Sequence, residues 1–121
     1  MKKIVTLCFA VLGFSALAQA ETWIARCNNL QFNFDRNGKT ALVYFKTSTG
    51  IYQMAKGSIG FDNGVVLRAP LDGNSAGFGG QSLTEIGLNK SRNVVYVQYR
   101  HPSTGALSSG EFCNAQIQMV P

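Results

Sequence analysis

From Thr22 to Val120 apolar and polar side chains change places with a period close to two, the repeat of strands that bury one face. Trp23, Ala25 and Cys27 share one face of a first strand, and Leu30, Phe32 and Phe34 alternate with Gln31, Asn33 and Asp35 in the next. Arg36-Asn37-Gly38-Lys39 follows as a hairpin turn, with the Asn-Gly pair expected to take the positive φ angles of a tight turn. The return strand, Thr40 to Lys46, is apolar on both faces, with Val43 and Phe45 on one and Leu42 and Tyr44 on the other, so a central position is expected for it. Ile51 to Ile59 is a strand interrupted by Gly57, which marks a bulge or a bend. Asp62-Asn63-Gly64 turns the chain into Val65 to Arg68.

The alternation stops over residues 69–81 and resumes at Leu83 to Leu88. After a turn at Asn89 to Asn93, the β-forming run Val94 to Arg100 reads as a second central strand. Beyond Pro102-Ser103-Thr104-Gly105 comes a final strand, Ala106 to Val120, with a bend at Gly110 and with Cys113, Ala115, Ile117 and Met119 on one face. No segment carries apolar residues at helical spacing. The pattern predicts an all-β domain of about eight strands, either a small antiparallel barrel or a sandwich.

The first twenty residues stand apart. Lys2 and Lys3 precede an apolar run from Ile4 to Leu17 and then Ala18-Gln19-Ala20, the form of a secretory signal peptide with its cleavage site. The run is shorter than the roughly 20 residues of a spanning helix. Leu7 before Cys8 does not suit a lipidation site. The expected organisation is a cleaved signal, 1–20, followed by one all-β domain, 21–121, in the periplasm or secreted, without stable membrane insertion. Cleavage leaves 101 of 121 residues and lowers the net charge from +5 to +3, since Lys2 and Lys3 leave with the signal. The remaining basic residues form no run, which argues against nucleic acid and leaves an acidic exported partner open. Of three cysteines two remain, Cys27 and Cys113, and an even count in an exported chain predicts a disulfide between the terminal strands.

Candidate chemistry is sparse. The one histidine, His101, precedes Pro102 at the edge of a turn, and no base–nucleophile spacing accompanies it. Asp35, Asp62 and Asp72 fall in or beside turns, whereas Glu85 alternates with Leu83 and Gly87 and is the acid placed to point inward. Asp62-Asn63-Gly64 and Asp72-Gly73-Asn74 resemble calcium-loop fragments but lack the closing glutamate, so no metal and no cofactor is expected. The Gly-rich stretch 73–80 is no phosphate loop, because it lacks the lysine and the flanking helix. Its Phe78 is either an interface anchor or a cover for one end of the core, and the expected partner-binding residues are Asn74, Ser75, Gly77, Phe78 and Gly79.

An exported β domain with a cysteine near each end and a loop of small residues around an aromatic is similar in layout to the periplasmic lysozyme inhibitors of the membrane-bound and C-type class. That resemblance implies a small antiparallel barrel that inserts a loop into the cleft of a wall-degrading enzyme. The Ser-Gly-x-x-Tyr loop of that family is absent; the nearest stretch here is Ser75-Ala76-Gly77-Phe78-Gly79. The function expected is that of a non-enzymatic binding protein, an inhibitor or immunity protein directed at an envelope-targeting hydrolase or toxin. The alternatives are a structural or adhesive envelope subunit, and a barrel for a small apolar ligand, distinguished by whether Tyr44, Tyr96 and Tyr99 line a cavity or fill it.

Overall fold

A computed structural model describes residues 21–72 and 82–121. These form ten strands and no helix: β1 (Thr22–Cys27), β2 (Leu30–Asp35), β3 (Thr40–Thr47), β4 (Gly50–Ser58), β5 (Phe61–Asp62), β6 (Val66–Pro70), β7 (Ser82–Asn89), β8 (Val94–Arg100), β9 (Leu107–Asn114) and β10 (Gln116–Val120). They make two five-stranded antiparallel sheets, ordered β10-β1-β2-β3-β4 and β5-β6-β7-β8-β9, which do not close into a barrel. The count exceeds the expected eight for two reasons. Phe61–Asp62 adds a short edge strand, and the predicted last strand divides at Ala115 into strands of different sheets. The export signal expected in residues 1–20 lies outside the described residues.

Backbone hydrogen bonds continue the pairing past the strand ends, and one of them joins the two sheets. Ile59 N–H donates to Lys39 O at 2.9 Å, which extends the β3–β4 ladder by one pair beyond Thr40 and Ser58. Ala115 N–H donates to Asn93 O at 2.7 Å, which extends the β8–β9 ladder to the residue where the chain changes sheets, and Asp72 N–H donates to Lys56 O at 2.7 Å, which puts the end of β6 against β4. At the far end of β1, Cys27 bonds to Cys113 of β9, with Cα atoms 6.2 Å apart and 86 residues between them in sequence. The predicted pairing is present, but it ties one sheet to the other rather than two strands of one sheet, because the chain changes sheets at Ala115. Between the layers Trp23, Phe32, Phe34, Leu67, Leu83, Ile86, Leu88, Val43 and Val95 are buried with under 2% exposure. Each contributes roughly 2 kcal/mol by leaving water.

Both strands expected to be central, β3 and β8, are paired on both sides. Three local expectations are corrected. In the β2–β3 turn the positive φ falls on Lys39 (57°), not on Asn37 or Gly38, because Asp35 Oδ1 accepts the N–H groups of Asn37 and Gly38 at 3.1 Å and shapes the turn itself. The bulge of β4 is at Met54, skipped where Val43 pairs with Ala55 and Tyr44 with Gln53, whereas Gly57 is a place of close backbone approach to Pro70 and Leu71. Glu85 points outward, since a register shift between Leu83 and Glu85 turns Ile86, not Glu85, into the core.

The two sheets are copies of one plan. In each, four consecutive strands form a meander with an edge strand ahead of its first member: β10 pairs with β1 of β1–β4, and β5 pairs with β6 of β6–β9. Asn89 Oδ1 accepts the N–H groups of Ser91 and Arg92 just as Asp35 serves its own turn, and Asn93 (φ 55°) matches Lys39. Arg36 N–H donates to Glu21 O and Lys90 N–H to Val65 O, and Ser48-Thr49-Gly50 recurs as Ser103-Thr104-Gly105. This internal repeat has a readable trace in the sequence, but so few identities carry it that the pattern of strands alone conceals it.

The equivalent first residues of the two turns meet over one ring. Arg36 Cζ lies 4.7 Å and Lys90 Nζ 4.8 Å from the Trp23 ring centre, and Trp23 Nε1–H donates to Glu21 Oε1 at 2.9 Å. Arg36 also binds Asp62 of the other sheet with Nε–Oδ2 at 2.8 Å and NH2–Oδ1 at 3.1 Å. Burial alone pushes the Asp62 carboxyl up, but hydrogen bonds from Arg36 and from Gly64 N–H outweigh it and hold the group below the usual carboxylate range. A carboxyl lowered on folding stabilises the fold above its unfolded value near pH ~4 and loses that contribution as pH falls through the lower folded value. We therefore expect Asp62→Asn to cost about 1 kcal/mol at neutral pH, the scale of a partly exposed pair. In thermal melts at a series of pH values, the gap from the wild type should close as the pH falls below about 4. A gap independent of pH would disconnect the Asp62 charge from stability.

Candidate protein-binding site

The β3–β4 hairpin carries apolar side chains past the cover of the second sheet. Phe45 continues the inward face of Ala41 and Val43 and pairs with Tyr52, while Ile51 pairs with Lys46 on the other face. Ala41 and Val43 are buried, yet Phe45 is 41%, Tyr52 53% and Ile51 56% exposed. A chain of hydroxyls orders the turn below them. Thr47 Oγ1 accepts from Thr49 N–H at 3.2 Å and lies 3.0 Å from Thr49 Oγ1, which lies 3.0 Å from the Tyr52 hydroxyl. An ordered turn loses little freedom on binding, and aromatic side chains of this kind dominate protein interfaces.

The repeat places a counterpart in the second sheet. The β8–β9 turn is held by Gly105 N–H to His101 O and His101 N–H to Ala106 O, each 2.9 Å, and by Arg100 NH1 to Gly105 O at 2.7 Å. There Arg100 pairs with Leu107, which is 50% exposed, as Lys46 pairs with Ile51. Each tip therefore joins an exposed cation to an exposed apolar group.

The loop residues expected to bind a partner, Asn74, Ser75, Gly77, Phe78 and Gly79, lie outside the described residues. Phe45, Ile51 and Tyr52 were not singled out by the sequence pattern, which reads Phe45 as one more core position of its strand. The signal available was their position on both sides of Ser48-Thr49-Gly50, at the end of a hairpin.

His101 packs edge-on to Tyr99 at 5.3 Å, and its Nε2 lies 3.0 Å from Ser108 Oγ, a partner that spacing did not nominate. Five of the six acids are engaged elsewhere: Glu21 and Asp62 with Arg36, Glu85 with Arg68 at 3.5 Å, Glu111 with Arg92 at 3.0 Å, and Asp35 with its turn. Hydrogen bonding to Glu111 is the first cause that raises the Arg92 guanidinium above its ordinary value. Among the described residues no group of three or more His, Cys, Asp or Glu gathers as a metal site. Tyr44 and Tyr96 lie on the outer faces of their sheets and Tyr99 packs against the core, so these three do not line an internal cavity. Comparison with protein-family models, with curated proteins and with solved structures finds no match to this chain.

Proposed function

We propose that the chain is an exported, non-enzymatic binding protein that acts as an inhibitor or immunity protein against an envelope-directed hydrolase or toxin. The observation that carries this reading is the exposure of Phe45, Ile51 and Tyr52 on a turn already ordered by its own hydroxyls. Lys46 and Arg100 are exposed beside the apolar groups of the two tips. Enzymes that cut wall glycans commonly place two carboxylates in an open cleft, and a cationic apolar prong complements such a cleft in charge and shape.

The test is a wall-clearing assay in which the oxidised domain is added to purified exported hydrolases of its own host. The expected result is saturable inhibition of at least one enzyme, weakened about thirtyfold or more in the double variant Phe45→Ala/Tyr52→Ala, as for anchors worth ~2 kcal/mol. Equal inhibition by the variant, or none by the wild type, overturns the reading. Concentration-dependent self-association of the wild type that the variant loses would instead assign the tips to contacts between copies, as in a structural or adhesive subunit.

A further inference from the structure

We propose a second binding site, for a neutral saccharide of one or two rings, in the groove on the outer face of the β5–β9 sheet where Gly87 leaves the middle of the sheet without a side chain. The site is independent of the hairpin tips. Across the sheet, one outward row runs Phe61, Arg68, Gly87, Tyr96 and Glu111, and the next brings Glu85, Gln98 and Ser109 together. The missing side chain opens a groove of about 520 Å³, within the range of small-molecule sites.

The internal repeat shows that this groove is no necessity of the fold. The equivalent position in the first sheet is Asn33, paired with Ile24 and Leu42 as Gly87 is with Arg68 and Tyr96. There the position is filled, and the Asn33 side chain accepts from Gln31 Nε2 at 2.9 Å.

The chemistry of the walls selects the ligand. Each cation is already matched, Arg68 by Glu85 at 3.5 Å and Arg92 by Glu111 at 3.0 Å, so the groove presents no net charge to draw an anion or a cation. It presents donors and acceptors side by side. Gln98 Oε1 takes the Thr84 hydroxyl at 3.0 Å, and neither its amide nitrogen nor Ser109 Oγ has a hydrogen-bond partner among the described residues. Hydroxyl groups both donate and accept and so suit such a mixed lining. The Tyr96 side chain is fixed by Arg92 NH1 to its phenol oxygen at 2.8 Å, and its Cβ lies 3.8 Å from where a Gly87 Cβ would stand. A held aromatic ring beside the Gly87 backbone offers the C–H face of a sugar a flat apolar surface.

The test is an amide NMR titration of the oxidised domain with cellobiose, maltose and diacetylchitobiose, alongside glycylglycine and inorganic phosphate. At least one disaccharide is expected to shift the Gly87, Tyr96 and Gln98 signals saturably. Gly87→Asn, which copies the residue the first sheet accommodates, and Gln98→Leu should each weaken that binding about tenfold or more. If one variant fails to fold, the other decides. The proposal is overturned if no disaccharide shifts these signals, if only the dipeptide or phosphate does, or if binding is unchanged in the folded variants.

Discussion

Replacing Cys27 and Cys113 together by alanine is expected to lower the unfolding free energy by about 4 to 5 kcal/mol. The disulfide closes a loop spanning a separation of 86 residues, and loops of that length restrict the unfolded chain strongly. It also joins β1 of one sheet to β9 of the other, at the end opposite the Arg36–Asp62 pair. Without it, the two layers are held at that end by apolar contacts such as the edge-on packing of Phe32 on Phe112 at 6.2 Å. Domains of this size have about 5 to 15 kcal/mol in total, so the double variant should be partly unfolded at 37 °C. Urea unfolding of oxidised wild type and variant checks this; a difference under about 1 kcal/mol would show that the cross-link adds little to what the packed sheets supply.

Gly57→Val is the second large effect expected, a loss of about 3 kcal/mol. A Cβ at Gly57 would fall on the Pro70 carbonyl oxygen and 2.9 Å from Leu71 Cα. Both are backbone atoms, so neither can swing aside as a side chain would. They are held in place by the bridge between Gly57 and Leu71 and by Asp72 N–H to Lys56 O at 2.7 Å. Any β-carbon there must part β4 from the end of β6, which is one of the corners joining the sheets. Gly110→Ala is the control, because a Cβ at that site meets nothing within 4 Å and should change stability by less than about 0.5 kcal/mol. Equal melting of the two variants would show that the β4–β6 corner opens freely.

Both predictions concern joints between sheets, and these are the parts of the fold least visible in the sequence. The strands themselves were legible. Trp23, Ala25 and Cys27, or Leu30, Phe32 and Phe34, declare their buried face because side-chain direction along a strand is a local property of the backbone. Composition likewise nominated the cysteine pair, since only Cys27 and Cys113 lie outside the apolar run of residues 4–17. The candidate site was much less legible. Phe45 follows Val43 on the same face, and nothing local distinguishes the buried residue from the exposed one.

By itself, then, the sequence determined the all-β class, most strand positions, their inward faces and the cystine, each of which depends on near neighbours or on simple counting. Tertiary structure alone decided that Cys113 and Ile117 belong to different sheets, that Gly57 admits a crossing backbone, that Glu85 faces outward and that Gly87 floors a groove. It also decided that Phe45 and Tyr52 lie beyond the cover of the opposite layer. The physical reason is that a period of two records which residues share a face, whereas burial depends on whether another sheet, folded from distant residues, lies above that face.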